Sequence, residues 1–152
     1  MSSSAISRIV RELKDKPGAL LPILHSIQEE LGYVPEDAVP IIASELNLTR
    51  AEVHGVVTFY HDFRSHPAGR HIVRVCQAES CQAAGSADLT AHAKQILGIE
   101  FHQTTNDGSC SLEPVYCLGN CALSPSVMVD KEVHGRVNSQ RFDEIVEEVR
   151  RS

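Results

Sequence analysis

The sequence has 152 residues, 42% hydrophobic and 22% charged, which is enough for one domain or two small ones. Its net charge of −6, with no basic cluster longer than Arg150-Arg151, argues against a nucleic-acid binder and favours a soluble protein that docks on another protein. Because no apolar run approaches the roughly 20 residues of a membrane helix and Met1–Ala5 does not resemble a signal peptide, we expect a cytoplasmic protein without a membrane segment.

Four short amphipathic helices are predicted between about residues 5 and 63, because apolar residues recur there at helical spacing. Pro17-Gly18 breaks the first helix, Gly32 ends the second, Pro35 opens the third, and Thr49–Glu52 is a capping box for the fourth. The predicted buried faces are Ile6, Ile9, Val10 and Leu13, then Leu20, Leu24, Ile27 and Leu31, then Val39, Ile42, Ala43 and Leu46, and finally Val53, Val56, Val57 and Tyr60.

A polar segment rich in Pro and Gly, Arg64–Arg70, interrupts the helical pattern and predicts a linker. We therefore expect an N-terminal helical domain over residues 1–66 and a second domain over residues 67–152. The helical domain is small for a stable core of its own, so we also expect it to dock on a partner through exposed aromatic residues; the alternative is that these aromatics only fill its own core.

The second part of the chain predicts a small mixed sheet covered by helices. The order of elements is β, α, β, β, β, α, with a loop over residues 77–85. The fold class is therefore α+β, an N-terminal bundle of short helices followed by a thioredoxin-like α/β domain. The predicted strands are 71–76, 99–104 and 112–117, and the last β segment covers 127–130 and 132–134 with a turn between them. The two helices are predicted to be capped by Ser86 and Ser139.

Four of the five cysteines form two spaced pairs. Cys76 and Cys81 are spaced C-x4-C, and Cys117 and Cys121 are spaced C-x3-C. Each pair begins at the predicted end of a strand, so two loops at one edge of the sheet could bring four thiolates together. An odd number of cysteines in a reducing compartment favours metal binding over disulfides.

Several kinds of site fit these pairs. A [2Fe–2S] cluster needs four thiolates and is compatible with the spacing. A structural Cys₄ zinc site is the main alternative, although such sites usually carry C-x2-C pairs. A redox dithiol is less favoured because neither pair is C-x-x-C, and the sequence lacks the cysteine–histidine pattern of a Rieske centre. Five buried structural cysteines would not explain why the pairs lie in loops that contain Gly85 and Gly119.

The remaining chemistry-bearing residues do not form a catalytic pattern. Cys110 belongs to neither loop, so we interpret it as a small buried side chain and not as a ligand. The eight histidines are scattered, and the sequence contains no nucleophile elbow, H-E-x-x-H motif or P-loop. We therefore predict no catalytic residues in this chain.

Two stretches make the cysteine pattern specific: Cys76–Cys81, which reads C-Q-A-E-S-C, and Glu113–Cys121, which reads E-P-V-Y-C-L-G-N-C. Both resemble the cluster-binding pattern of the thioredoxin-like [2Fe–2S] ferredoxin family, and Gly32–Ala38 and Val56–Tyr60 are similar to its helical region. This family includes the small iron–sulfur subunit of respiratory NADH dehydrogenase and subunits of NAD-linked hydrogenases and formate dehydrogenases. The resemblance implies that Cys76, Cys81, Cys117 and Cys121 hold a [2Fe–2S] cluster.

The resemblance also implies a role as an electron-transfer subunit. Within the family, the sequence is most similar to the gamma subunits of soluble, molybdenum-containing, NAD-dependent formate dehydrogenases. We therefore expect a flavoprotein partner that carries FMN and the NAD site, and another partner subunit that carries the molybdenum centre. The alternatives are an NAD-reducing hydrogenase, a respiratory NADH dehydrogenase, or a zinc-stabilised adaptor without a redox role.

Overall fold

The computed structural model describes residues 2–151 and divides the chain into two compact units. The first unit extends to Pro67 and the second begins at Ala68, within the segment predicted as a linker. Each unit has its own cluster of buried hydrophobic side chains. Within the described residues, every helix is too short or too polar to cross a membrane.

The first unit contains the four predicted helices, and their bounds follow from local signals in the sequence. Gly32 ends the second helix in a left-handed conformation (φ 83°), which glycine adopts without strain. Thr49 and Glu52 form the predicted capping box, in which each side chain accepts a hydrogen bond from the other residue's backbone N–H. The helices are α1 (Ser2–Leu13), α2 (Leu20–Leu31), α3 (Ala38–Leu46) and α4 (Arg50–Phe59).

The core of the first unit comes mainly from α1, α2 and α3, where α1 contacts both of the other helices. A buried amide, Gln28 on α2, ties this core to the segment after α4. Its Nε2 donates to the carbonyl of Asp62 at 2.7 Å, and its Oε1 accepts from the amide of Arg64 at 2.8 Å. Both ends of the Gln28 side chain are thereby satisfied in the interior.

Two predictions for this unit were wrong in detail. The third helix begins at Ala38 and not at Pro35, which lies in a preceding turn and accepts a hydrogen bond from the Ala38 amide at 3.0 Å. Tyr60 does not belong to a buried helical face: α4 ends one residue earlier, Tyr60 is extended, and its side chain is 43% exposed. Phe59 beside it is 74% exposed.

The second unit is a five-stranded mixed sheet with helices, as predicted, and has the order β2-β3-β1-β4-β5. Its strands are β1 (His71–Cys76), β2 (Gln103–Thr104), β3 (Cys110–Val115), β4 (Val127–Val129) and β5 (Glu132–His134). Its helices are α5 (Glu79–Ala83), α6 (Ser86–Leu97) and α7 (Ser139–Arg151), with a short 3₁₀ helix at Cys121–Leu123.

The central pairing is parallel, between β1 and β3. His71 lies opposite Cys110 at one end of the pair, and Cys76 lies opposite Val115 at the other. Parallel strands end at the same edge of a sheet, so the loops after β1 and β3 leave the sheet side by side. The antiparallel strand β4 flanks β1 on its other side.

Helices α6 and α7 contact each other and cover this sheet. The side chains predicted as the buried stripe of the last helix are all buried, and they join Val73, Val75 and Leu112 of the strands in one core. His92 on α6 also approaches Asp143 on α7, with Nε2 and Oδ1 2.7 Å apart. The stripe consists of Phe142, Ile145, Val146 and Val149.

Several element predictions in the second unit need correction. The segment predicted as a loop over residues 77–85 contains α5, and the strand predicted over residues 99–104 is formed only at β2. The last helix is capped by Asn138, whose Oδ1 accepts from the amide of Arg141 at 2.8 Å, and not by Ser139. Likewise Ser86 is the first residue of α6 and not its cap, because Gly85 precedes it with φ 97°.

Candidate metal centre

The first cysteine pair lies where β1 meets α5. Cys76 is the last residue of β1, and the helical turn of α5 folds the chain back so that Cys81 contacts it through a side-chain hydrogen bond. Both side chains are buried, with 2% and 3% of their surfaces exposed. The helix missed in the sequence therefore brings the two members of the C-x4-C pair together.

Polar side chains on α6 fix the start of this first cysteine loop. The hydroxyl of Ser86 donates to the carbonyl of Cys76, and Nε2 of Gln77 donates to the hydroxyl of Thr90 at 2.9 Å. The Ser86 hydroxyl is thus hydrogen-bonded to the first cysteine loop, and for this reason Ser86 does not act as the helix cap predicted for it. Helix α6, which is itself part of the core, therefore holds the main chain around Cys76 in place.

The second cysteine loop follows β3 and is more exposed. Cys117 has a positive φ of 149°, a conformation that is uncommon for a residue other than glycine. Gly119, at φ 70°, lets the chain turn so that its amide points at the Cys117 sulfur, 3.3 Å away. Cys121 opens the 3₁₀ helix. The side chains of Cys117 and Cys121 are both exposed.

Gly135, which follows the β4–β5 hairpin, packs closely against the second cysteine loop. A Cβ atom at this position would lie 2.6 Å from Cβ of Leu123 and 2.8 Å from Nδ2 of Asn120. Real Cβ atoms do not approach other atoms so closely, so the loop can occupy this place only against a glycine. Sequence reasoning missed Gly135; the one available signal was a glycine at the end of a predicted strand.

The two cysteine loops contact each other directly. The amide of Cys76 donates to the carbonyl of Ser126 at 3.1 Å. The hydroxyls of Ser80 and Ser124, one from each loop, lie 2.9 Å apart. Across residues 2–151, however, no three His, Cys, Asp or Glu side chains are gathered closely enough to hold a single metal ion. The structure brings the two loops together and joins only the first pair, Cys76 and Cys81, through its side chains.

The pKa values of the two buried thiols, Cys76 and Cys81, are shifted in opposite directions. Burial raises the pKa of the Cys76 thiol, although the backbone amides of Ala78 and Leu118 oppose the shift. Burial also acts on Cys81, but its hydrogen-bonding contacts with Ser124, Cys76 and Ser126 outweigh burial and leave its pKa lowered. Cys81 is therefore the member of the pair that is better prepared to carry a thiolate.

Cys110 is remote from both cysteine loops. It is fully buried at the start of β3, opposite His71, whereas the loops leave the far ends of the strands. The five residue-to-residue steps from Cys110 to Val115 span about 17 Å at the rise of an extended strand. Its backbone also packs against Gly69, where a Cβ would lie 2.8 Å from the Cys110 carbonyl carbon. This is the buried structural position predicted for it.

Comparisons with known proteins identify the family. The family model described as "Thioredoxin-like [2Fe-2S] ferredoxin" matches residues 6–150. The chain is 36% identical to an NADH-quinone oxidoreductase subunit of Pseudomonas aeruginosa over 144 residues, which cover 95% of this chain and 87% of that protein. It is 35% identical to NADP-reducing hydrogenase subunit HndA of Solidesulfovibrio fructosivorans over 144 residues, 94% of this chain and 84% of that one.

A solved structure has the same fold. The crystal structure of NAD+-reducing [NiFe]-hydrogenase in the H2-reduced state superposes with a TM-score of 0.72 at 22% identity. The match covers 88% of this chain but only 22% of that chain, so this protein corresponds to about a fifth of the longer polypeptide.

The chain belongs to the thioredoxin-like [2Fe–2S] ferredoxin family. Its cofactor is therefore a [2Fe–2S] cluster, and it is an iron–sulfur protein of electron transfer. The residues at the site fit this cofactor, since the two loops that carry the thiol pairs start at one sheet edge and backbone amides point at the sulfurs of Cys117 and Cys76. The predicted family and fold are confirmed.

Proposed function

We propose that Cys76, Cys81, Cys117 and Cys121 are the four ligands of the cluster and that the chain transfers single electrons. The observation that carries this proposal is the parallel pairing of β1 with β3, which starts both cysteine loops at one edge of the sheet. Four thiolates complete the coordination of two irons, and the bound cluster supplies a one-electron centre.

The protein's own groups prepare this site in two ways. Cys76 and Cys81 are buried, which keeps water from one side, whereas Cys117 and Cys121 remain open to a redox partner. Backbone N–H groups, such as that of Gly119 at Cys117, face ligand sulfurs and offset their negative charge.

We further propose that the electron partner is a flavoprotein subunit that carries FMN and the NAD site. The sequence of this chain contains neither a P-loop nor a Gly-rich dinucleotide fingerprint, so hydride chemistry must lie on another polypeptide. The two relatives from Pseudomonas and Solidesulfovibrio are by name an oxidoreductase subunit and a hydrogenase subunit, which supports membership in a multi-subunit complex.

For the parent complex we propose a cytoplasmic, NAD-dependent formate dehydrogenase, with formate oxidised at a molybdenum centre in a further subunit. The support is that the sequences of the cysteine loops resemble those of the gamma subunits of that branch. The names of the relatives favour the two alternatives, an NAD-reducing hydrogenase and a respiratory NADH dehydrogenase, which use similar subunits.

Isolation of the protein tests the cofactor proposal. With the four ligands in place, the purified chain is brown, absorbs in the visible range, and contains about two irons and two labile sulfides per chain. A colourless protein with one tightly bound zinc ion would instead support the structural adaptor.

Capture of the native complex tests the parent enzyme. The subunit is tagged in its own host, and the co-purifying material is assayed for formate-dependent NAD reduction and for molybdenum. Formate-dependent activity supports the proposal. Hydrogen-dependent NAD reduction, or a quinone-linked assembly, would assign the same electron-transfer role to one of the other two complexes.

A further inference from the structure

Two serine hydroxyls join the cysteine loops beside the first cysteine pair. Oγ of Ser80, on α5, lies 2.9 Å from Oγ of Ser124, which follows the 3₁₀ helix. Both hydroxyls also reach the carbonyl of Cys121, at 3.3 Å from Ser80 and 2.9 Å from Ser124. The pair therefore connects the residue before Cys81 to the main chain of Cys121.

Ser124 additionally contacts a sulfur. Its Oγ lies 3.5 Å from Sγ of Cys81, a contact in which the thiol of the free protein donates to the hydroxyl. A sulfur that ligates iron has no proton, so the only hydrogen that can keep this contact is that of Ser124. The direction of the hydrogen bond must then reverse.

The hydrogens available permit this reversal without leaving a polar group unsatisfied. The two serines supply two O–H groups, and the acceptors are the carbonyl of Cys121 and the sulfur of Cys81. If Ser80 donates to the carbonyl, Ser124 is free to donate to the sulfur. The Ser80 hydroxyl thus determines whether Ser124 donates to the Cys121 carbonyl or to the Cys81 sulfur.

We propose that Ser124 donates a hydrogen bond to the Cys81 sulfur in the cluster-loaded protein, that Ser80 positions it, and that the pair raises the reduction potential. This inference rests on the proposed ligation by Cys81. A donor to a ligand sulfur stabilises the reduced cluster more than the oxidised one, because reduction adds negative charge to the sulfurs.

The test compares cluster-loaded wild type with Ser124→Ala, Ser124→Thr and Ser80→Ala. Ser139→Ala is the matched control, because Ser139 is an exposed serine at the start of α7 and belongs to neither cysteine loop. The readouts are the midpoint potential, the iron content, and the shift of the Fe–S stretching bands between H2O and D2O, which reports hydrogen bonds to the sulfurs.

Ser124→Ala is expected to lower the midpoint potential and to reduce the D2O shift, whereas Ser124→Thr, which keeps the hydroxyl, restores both. Ser80→Ala is expected to change both readouts in the same direction by a smaller amount, because Ser124 must then also serve the Cys121 carbonyl. The double alanine variant should equal Ser124→Ala alone, and Ser139→Ala should match wild type.

A Ser124→Ala protein with full iron content and wild-type potential and D2O shift would overturn the inference. If Ser124→Ala fails to assemble a cluster, the potential of Ser80→Ala decides, and a value equal to wild type rejects the proposal. A wild-type protein that holds no [2Fe–2S] cluster on Cys81 would instead refute the proposed function, which makes the two failures distinguishable.

Discussion

The backbone amide of Gln77 donates to the carbonyl of Val115 at 2.7 Å, which ties the residue after Cys76 to the strand that leads into the second cysteine loop. The hydrogen-bond ladder between β1 and β3 thus continues one step past Cys76. The paired strands therefore hold the starting points of the two loops side by side.

This arrangement predicts that each of the four proposed ligands is needed. Replacing Cys76, Cys81, Cys117 or Cys121 with Ser is expected to reduce iron from about two per chain or to alter the EPR spectrum of the reduced protein, because a harder oxygen ligand replaces a thiolate. Iron analysis and EPR check this outcome. Unchanged iron content and spectra in Cys117→Ser would contradict the assignment.

Cys110→Ala is the matched control for the four ligand substitutions. Because Cys110 is fully buried at the opposite end of β3, we expect full iron content and an unchanged visible spectrum. The small cavity left behind should lower the free energy of unfolding by about 1–2 kcal/mol. Loss of the spectrum while circular dichroism remains native would show that Cys110 belongs to the site.

Gly135→Ala is expected to disturb the second cysteine loop, because the added Cβ would collide with Leu123 and Asn120. The predicted result is a loss of about 1–3 kcal/mol in the free energy of unfolding and faster release of iron to a chelator. Gly55→Ala is the control: its Cβ would enter open space in α4, so stability should rise by roughly 0.5–1 kcal/mol. Equal iron release from both variants would refute the supporting role of Gly135.

Asp107 gives a pH-dependent prediction. Hydrogen bonds from Thr105 and Ser109 hold the pKa of its exposed carboxyl well below the ordinary value. A pKa lowered in the folded state contributes stability above the unfolded value of about 3.9, and this contribution is lost as the pH falls below it. The stability difference between wild type and Asp107→Asn, measured by urea unfolding, should be constant from pH 5 to 8 and shrink below about pH 4. Acid loss of the cluster is common to both proteins and cancels in the difference.

The exposed end of α4 predicts a contact with the flavoprotein partner. Phe59 is 74% exposed, so Phe59→Ala should change stability by less than about 0.5 kcal/mol. We expect it to weaken binding of the partner by about fivefold or more, as truncation of an aromatic anchor does. Ile96→Ala on α6, where the side chain is 38% exposed, is the control. Wild-type affinity of Phe59→Ala in a titration would remove Phe59 from the interface.

The sequence predicts the parts of the fold that depend on periodicity and caps. The stripe from Phe142 to Val149 and the capping box at Thr49 depend on contacts within one helix or against one core, and both occur as expected. The β4–β5 hairpin and the turn before β3 likewise follow from residues adjacent in the chain.

The remaining features depend on tertiary contacts that no local pattern encodes. Ser86 looks like a helix cap, but the carbonyl of Cys76 competes for its hydroxyl, and Gly85 takes the position before the helix. Helix α5 is only one turn long and leaves no periodic signal. The meeting of Ser80 and Ser124 joins residues 44 positions apart and is visible only once the strands are paired.

The difference in burial between the cysteine pairs has a thermodynamic consequence. Cys117 and Cys121 face solvent, so a protein that docks over the second cysteine loop displaces water from that side of the centre. With the cluster ligated by these cysteines as proposed, loss of that water disfavours the more negatively charged, reduced state and shifts the potential downward. Because such coupling is reciprocal, the oxidised form binds that partner more tightly than the reduced form, and each electron accepted loosens the complex.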